Sequence, residues 1–327
     1  MIPKILHFCF GLSSQGGGDW GLAHYACVRS AVERIKPDQA FLYFEYAPRG
    51  PYWDLTTKIL DCQKITAPRS VFGKPLLHYA HRADVLRLEK LIAIGGIYLD
   101  CDVFVHRDFD DLLDNSVVLG QEGEKGEFGL CNAVILAEPG AAFLRRWYLE
   151  YESFRSRGHD QFWSEHSVDV PRKLAQLHRD ELTILGPRAF FWPTWEEAGL
   201  NRIFSSDDPI PMDGVYANHL WESWAWSDYL SGLTPARVRT IDSNFHFWVR
   251  PLIVDLPDNL GARSTAARII ARIKRRDPLN KRRREQRTNE IRRIWRRLRS
   301  LHPVIDKILS KGYRFVCRSA SGSKWHQ

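Results

Sequence analysis

Two aspartates separated by one residue, Asp100 and Asp102, are the most chemically suggestive feature of this 327-residue sequence. They follow the apolar run Ile97-Tyr98-Leu99, which itself follows Gly95-Gly96. Side chains alternate along an extended strand, so the two carboxylates would share a face, about 6.5 Å apart along the backbone. Paired carboxylates are hard oxygen ligands that suit Mg²⁺ or Mn²⁺, and such an ion can bridge a diphosphate. A bare Asp-x-Asp is common on solvated loops. One at the carboxyl end of a buried parallel strand faces the crevice where open α/β sheets bind ligands. Asp84 and Arg87 stand at i and i+3 of an expected helix, and so could face one ligand together. Isolated, they would read as a surface ion pair.

These residues need a scaffold, and the flanking sequence predicts one. Ile5–Phe10 reads as a buried strand, followed by a Ser/Gly loop and a helix from about residue 20 to 35. A strand over 40–44, a helix near 52–60 and a short strand around Ile65 continue the alternation. A helix over about 76–94 is stopped by Gly95-Gly96, as glycine does at a helix C-terminus. Strand Ile97–Leu99 then runs into the aspartates, and Val103-Phe104-Val105 continues it. Residues 130–137 read as a strand, 141–153 as a helix, and 244–249 as a late strand, with weaker elements near 171–178 and 182–186. The fold class expected is α/β: a Rossmann-like mixed, mainly parallel sheet with helices on both faces.

The runs Ala83-Asp84-Val85-Leu86-Arg87 and Gly95-Gly96-Ile97-Tyr98-Leu99-Asp100-Cys101-Asp102-Val103 resemble the signature of DXD-containing sugar transferases. These are glycosyltransferase family 32 and its relatives, the clostridial glucosylating toxins among them. Two weaker likenesses extend the match in the family's order: the opening Ile2-Pro3-Lys4-Ile5-Leu6-His7-Phe8-Cys9-Phe10-Gly11, and the late Tyr216-Ala217-Asn218-His219-Leu220-Trp221-Glu222-Ser223-Trp224. The resemblance implies a GT-A fold and a retaining transfer of a hexose from a UDP- or GDP-linked donor to a glycan or lipid-linked hydroxyl. It assigns Asp84 and Arg87 to the donor sugar, Asp100 to the ribose or sugar, and Asp102 to the metal, Mn²⁺ or Mg²⁺. His219 would be a further metal ligand, and Ser223 and Trp224 would lie near the diphosphate, Ser223 also close to the metal. Phe8, Phe10, Gly11 and Tyr98 would line the nucleotide. The relatives often carry tryptophan where Phe10 stands. Asn132 reads either as an acceptor-side residue or as a structural asparagine. Residues 140–215 match no motif and would carry acceptor specificity.

Composition bounds the rest. Between residues 263 and 299 there are 16 Lys/Arg and 3 Asp/Glu, a local +13; the chain nets +8, so the remainder is −5. The expected division is therefore a catalytic domain over 1–257 and a basic helical tail over 258–327, frayed beyond about 318. Ile291, Ile294, Trp295, Leu298 and Leu301 give that tail an apolar stripe. It suits docking on the domain or lying on an anionic membrane through residues 263–301. Nucleic acid is a less specific reading of the same arginines. Six unpaired cysteines, an amino terminus that enters a strand directly, and no apolar run of about 18 residues favour a cytoplasmic protein, at most peripheral on the inner face of a membrane. Six of the twelve tryptophans fall in 190–250; they could build a core or a stacking cleft. Two rivals remain. A haloacid-dehalogenase-like phosphohydrolase would use Asp100 as nucleophile and Asp102 as acid/base, but finds no second acidic motif better than Asp207-Asp208. A non-catalytic protein would act through its basic tail.

Overall fold

A computed structural model describes residues 1–262, which form one compact unit. The basic segment 263–301 and the end read as frayed lie outside the described residues, and with them the membrane and nucleic-acid readings of the tail. The elements are β1 (Ile5–Phe10), α1 (Leu22–Ile35), β2 (Gln39–Phe44), α2 (Pro51–Thr56), β3 (Asp61–Lys64), β4 (Ser70–Val71), β5 (Lys74–Pro75), α3 (Tyr79–Ile94), β6 (Gly96–Leu99) and β7 (Val103–Val105). There follow β8 (Val117–Glu122), β9 (Gly129–Ala137), α4 (Ala142–Leu149), α5 (Val170–Leu177), β10 (Thr183–Leu185), α6 (Glu197–Phe204), β11 (Ala217–His219), α7 (Glu222–Ala225), α8 (Pro235–Thr240) and α9 (Asn244–Val249).

Seven strands make one sheet in the order β10-β8-β9-β6-β1-β2-β3. Its pairings are parallel except those of β9 with β6 and β8, so β9 alone runs against the other six. The expected mixed α/β sheet is present. Its two faces carry separate cores, because strand side chains alternate. On β1, Leu6 and Phe8 enter the core containing Ala26, Cys27 and Ala31 of α1; Cys9 enters the core containing Val85, Leu88 and Leu91 of α3 and Trp147 of α4. Helices cover both faces. Among the described residues, no helix is long and apolar enough to cross a membrane.

Two expectations change. Asn244–Val249 is helix α9, not a strand: Ser243 caps it, its side chain accepting from the His246 N–H, and the cap outweighs the strand preference of two phenylalanines, a tryptophan and a valine. Asp100 and Asp102 do not alternate along a strand either. Asp100-Cys101-Asp102-Val103 is a tight turn closed by Val103 N–H donating to the Asp100 carbonyl at 3.0 Å. The chain leaves the main sheet there, and β7 pairs antiparallel with β11 as a separate ribbon, Val103 opposite His219.

Candidate active site

The site gathers at one end of the sheet, where β6 and β8 end and the reversed β9 begins. Helix α3 supplies its first half. Gly95 and Gly96 both adopt positive φ (69° and 118°) between α3 and β6. A side chain at Gly96 would place Cβ 2.5 Å from the Ile5 carbonyl and 2.8 Å from His7 Nε2, so only glycine lets β6 lie this close to β1. α3 is thereby held against the strand that delivers Asp100. Arg87 Nη2 lies 3.4 Å from Asp84 Oδ1 and 3.3 Å from Asp100 Oδ1, bridging two carboxylates sixteen positions apart. Arg87 is buried, stacks on the Tyr98 ring at 4.3 Å and donates to the Asn132 carbonyl at 2.6 Å. Tyr98 donates to Asp100 Oδ1 at 2.7 Å. Asn132 Nδ2 donates to Asp84 Oδ1 at 2.7 Å. Asn132 thereby helps to hold Asp84.

The second half is assembled across the chain. Asp102 Oδ1 lies 3.2 Å from His219 Nε2, and Asp102 Oδ2 accepts from the Glu222 N–H at 2.7 Å. The β7–β11 ribbon brings His219 alongside, and Leu220 N–H donates to the Asp102 carbonyl at 2.8 Å. Trp221 then takes the left-handed conformation (φ 56°), a strained choice for a bulky residue that turns the chain so α7 starts with its N–H on Asp102. Asp100, Asp102 and His219 each offer a ligand atom within 4.8 Å of the others. That is an oxygen, oxygen, nitrogen set suited to a divalent cation.

Electrostatics distinguish these groups. Burial pushes the Asp84 carboxyl up, but the His81 hydrogen bond and Arg87 hold it below its ordinary value. Burial raises the Asp100 carboxyl, and the like charge of Asp102 adds to this against Arg87. Asp102 is held below its usual range despite burial, by His219 and the Glu222 N–H. Burial lowers the His219 imidazole, but Asp102 and Asp100 outweigh it and raise it on balance. Two carboxylates this close repel, and positive charge placed between them relieves that repulsion.

The remaining expected residues are placed as follows. Phe8 is wholly enclosed in the core, and Tyr98 is 1% exposed, so its visible work is to hold Asp100. Phe10 is partly exposed beside the loop that follows β1, edge-on to Trp20 at 4.9 Å and to His24 at 5.0 Å. Gly11 has positive φ, and a Cβ there would collide with the Tyr46 carbonyl. Ser223 is exposed on the first turn of α7 beside Glu222, and Trp224 stacks on Trp195 at 5.3 Å and 19°. Of the tryptophans in 190–250, Trp221 is core and five are partly buried against that core.

Sequence reasoning missed several supporting residues. His24, buried on α1, accepts the Gly21 N–H on Nδ1 at 3.0 Å and lies 3.2 Å from Glu222 Oε1 through Nε2. With Nδ1 accepting, Nε2 carries the proton and faces the Glu222 carboxylate without hydrogen-bond geometry. Its ring is stacked between Trp20 (4.8 Å) and Trp226 (5.2 Å). Glu122, ending β8, has its carboxyl raised by burial within electrostatic reach of His219. His81, one turn before Asp84, was unremarked. No local pattern marks a residue whose partner lies on another element.

The chain matches, over residues 29–119, the family model described as glycosyltransferase sugar-binding region containing DXD motif. It is 38% identical over 265 residues to glucan organizing enzyme 1 of Cryptococcus neoformans var. grubii serotype A, covering 77% of this chain and 71% of that protein. Among solved structures, it is similar to the apo form of the glycosyltransferase GlyE of Streptococcus pneumoniae TIGR4 at 13% identity and a TM-score of 0.43, covering 70% of this chain and 57% of that one. A second is the galactosyltransferase LgtC in complex with donor and acceptor sugar analogs, at 15% identity and a TM-score of 0.38, covering 78% and 98%.

Proposed function

The chain belongs to the glycosyltransferases whose sugar-binding region contains a DXD motif, and from that premise we propose a metal-dependent, retaining hexosyl transfer from a nucleotide sugar to a glycan or glycolipid hydroxyl. Enzymatic sugar transfer follows from the family; the donor, the cation and the acceptor are this proposal's own. One observation carries it: Asp84, Arg87, Asp100, Asp102 and His219 form one continuous charged cluster at the strand ends.

Asp102, His219 and Asp100 would hold a divalent cation, Mn²⁺ or Mg²⁺; their ligand atoms converge, and the carboxylate pair carries more negative charge than His219 alone offsets. When bound, the cation supplies positive charge against the departing nucleotide diphosphate. Asp84 would accept hydroxyls of the donor sugar, with Arg87 fixing the relative position of Asp84 and Asp100. Phe10 would pack on the base. The bond from the anomeric carbon to the diphosphate breaks, the acceptor oxygen bonds that carbon on the same face, and the hydroxyl proton passes to the departing phosphate oxygen. The likeness to glucan organizing enzyme 1 favours a glucose polymer as acceptor. The phosphohydrolase reading loses its footing, because Asp100, its nucleophile, is tied to Arg87 and Tyr98 in a sugar-transferase family.

A thermal-shift screen of UDP- and GDP-sugars with and without Mn²⁺ tests the reading, since a native-state ligand at a hundredfold its Kd adds about 2.7 kcal/mol of stability. A cation-dependent shift with one donor is expected. A full set of donors without any shift, with Mn²⁺ present, would remove the proposal.

A further inference from the structure

Asp84 is buried, and three of its contacts run inward: Asn132 at 2.7 Å and Arg87 at 3.4 Å on Oδ1, and His81 Nδ1 at 3.4 Å from Oδ2. A carboxylate only accepts, so against it Nδ1 is the donor, and with about four lone-pair sites in all the group keeps roughly one for a ligand. The direction of that last site depends on how the carboxylate plane is held, and Oδ2 is set by His81.

His81 is held in turn by a segment that matches no motif. Its Nε2 lies 3.0 Å from Ser156 Oγ. Ser156 Oγ also lies 2.9 Å from Asp160 Oδ1, its single hydroxyl proton shared between His81 Nε2 and that carboxylate, and Asp160 organises the turn by accepting from the N–H groups of Arg157 (2.7 Å) and Phe162 (2.9 Å). The His81 ring packs on Trp163 at 4.8 Å and on Phe154 at 5.1 Å. His81 and Ser156 are 2% and 3% exposed, too enclosed for a surface decoration. A buried imidazole that spans a carboxylate and a distant loop transmits the loop's position to that carboxylate.

Resting on the reading that Asp84 accepts donor-sugar hydroxyls, we propose that His81 is a positioning residue, and that the 154–163 loop, acting through Ser156 and His81, sets the orientation of Asp84 and so the choice of donor sugar. The nucleotide lies outside this relay. Disturbing His81 therefore weakens recognition of the hexose while leaving recognition of the nucleoside diphosphate in place.

The test compares full-length His81→Ala, His81→Asn and Ser156→Ala with the unmodified chain. Affinities for UDP-glucose, GDP-mannose, UDP and GDP are measured with Mn²⁺, alongside the KM of whichever donor is used. His81→Ala should weaken binding of that sugar nucleotide about tenfold, the loss of one buried donor to a charged group, and leave the matching diphosphate within about twofold. His81→Asn, which can still offer an N–H, should recover much of the loss, and Ser156→Ala should lose about threefold. Parallel weakening of sugar nucleotide and diphosphate would make the role merely structural and overturn the proposal, as would unchanged sugar-nucleotide affinity. If His81→Ala does not fold, Ser156→Ala decides by the same two ligands. An unmodified chain that binds none of the four ligands removes the transferase reading and this inference with it, a result distinct from selective failure of the variants.

Discussion

Asp100 and Asp102 stand two positions apart, yet they belong to halves of the site held by opposite means. Asp100 shares Arg87, a permanent cation, with Asp84, and all three lie within seventeen consecutive positions on α3 and the end of β6. Asp102 is held by His219 and by the Glu222 N–H, which arrive more than a hundred positions later. The first half is balanced by fixed charge and rigid secondary structure, so its shape does not wait for a ligand. In the second, a protonatable ring faces a carboxylate, and a cation could take the place of that proton. The two halves are thereby stabilised separately, although the motif that joins them is three residues long.

The largest test strikes the fixed half. Arg87→Met leaves buried Asp84 and half-buried Asp100 without their cation and should destabilise the fold by about 3 kcal/mol, read as a fall in the denaturant midpoint. A stable Arg87→Met protein would erase the contrast. In the exchangeable half, Asp102→Ala should spare the fold, as judged by Tm, while lowering cation-dependent turnover by about 10²–10³-fold. Full activity there would place the cation elsewhere.

Acid should weaken both halves through histidines that the fold keeps neutral. Burial lowers His78, beside His81, and His106, which bonds Asn218 of β11 at 2.7 Å, each to about 4; His7 and His246 behave alike. The unfolded chain takes up these protons near 6.5 and the folded one only near 4. It therefore binds more protons in that window, and stability falls as pH drops through it. His219, with its raised value, works in the opposite sense, holding stability below about 6.5 that is lost as pH rises through its folded value. His166 is lowered too, while Asp100, Glu122, Asp169 and Glu196, raised by burial, side with His219. The large shifts of the four histidines dominate, so in chelator the Tm should fall between pH 6.5 and 4, and a flat or rising profile contradicts this. Comparing His78→Gln with His106→Gln shows which half yields first. Phe10→Ala should have the smallest effect, about 0.5–1.5 kcal/mol in nucleotide affinity by titration with UDP or GDP, with both halves intact.

The same contrast explains what the sequence discloses. The α3-Gly-Gly-β6 unit was legible because helix period, glycine stop and apolar strand are local signals, and Asp84, Arg87 and Asp100 ride on them. β8 went unread because Val117–Glu122 carries no clear alternation and is buried along most of its length. The 244–249 segment misled because β-favouring side chains outnumber the single capping serine. The turn at 100–103 looks like strand continuation, since β7 is apolar; only its pairing with residues 217–219 pulls it from the sheet. Ser156 and His24 had no local mark, because each acts through a tertiary contact, and His81 shows its reach only through Ser156, 75 positions away.

The ribbon that sets Val103 opposite His219 closes a span of 116 positions. Pairings of such long sequence separation form late, since their closure entropy is offset only once both partners are present. On the ribosome, Asp84, Arg87 and Asp100 emerge long before the residues that clasp Asp102. A nascent chain thus presents Asp84, Arg87 and Asp100 before Asp102 has its partners, and the complete charged cluster exists only after residue 222 has been made and docked.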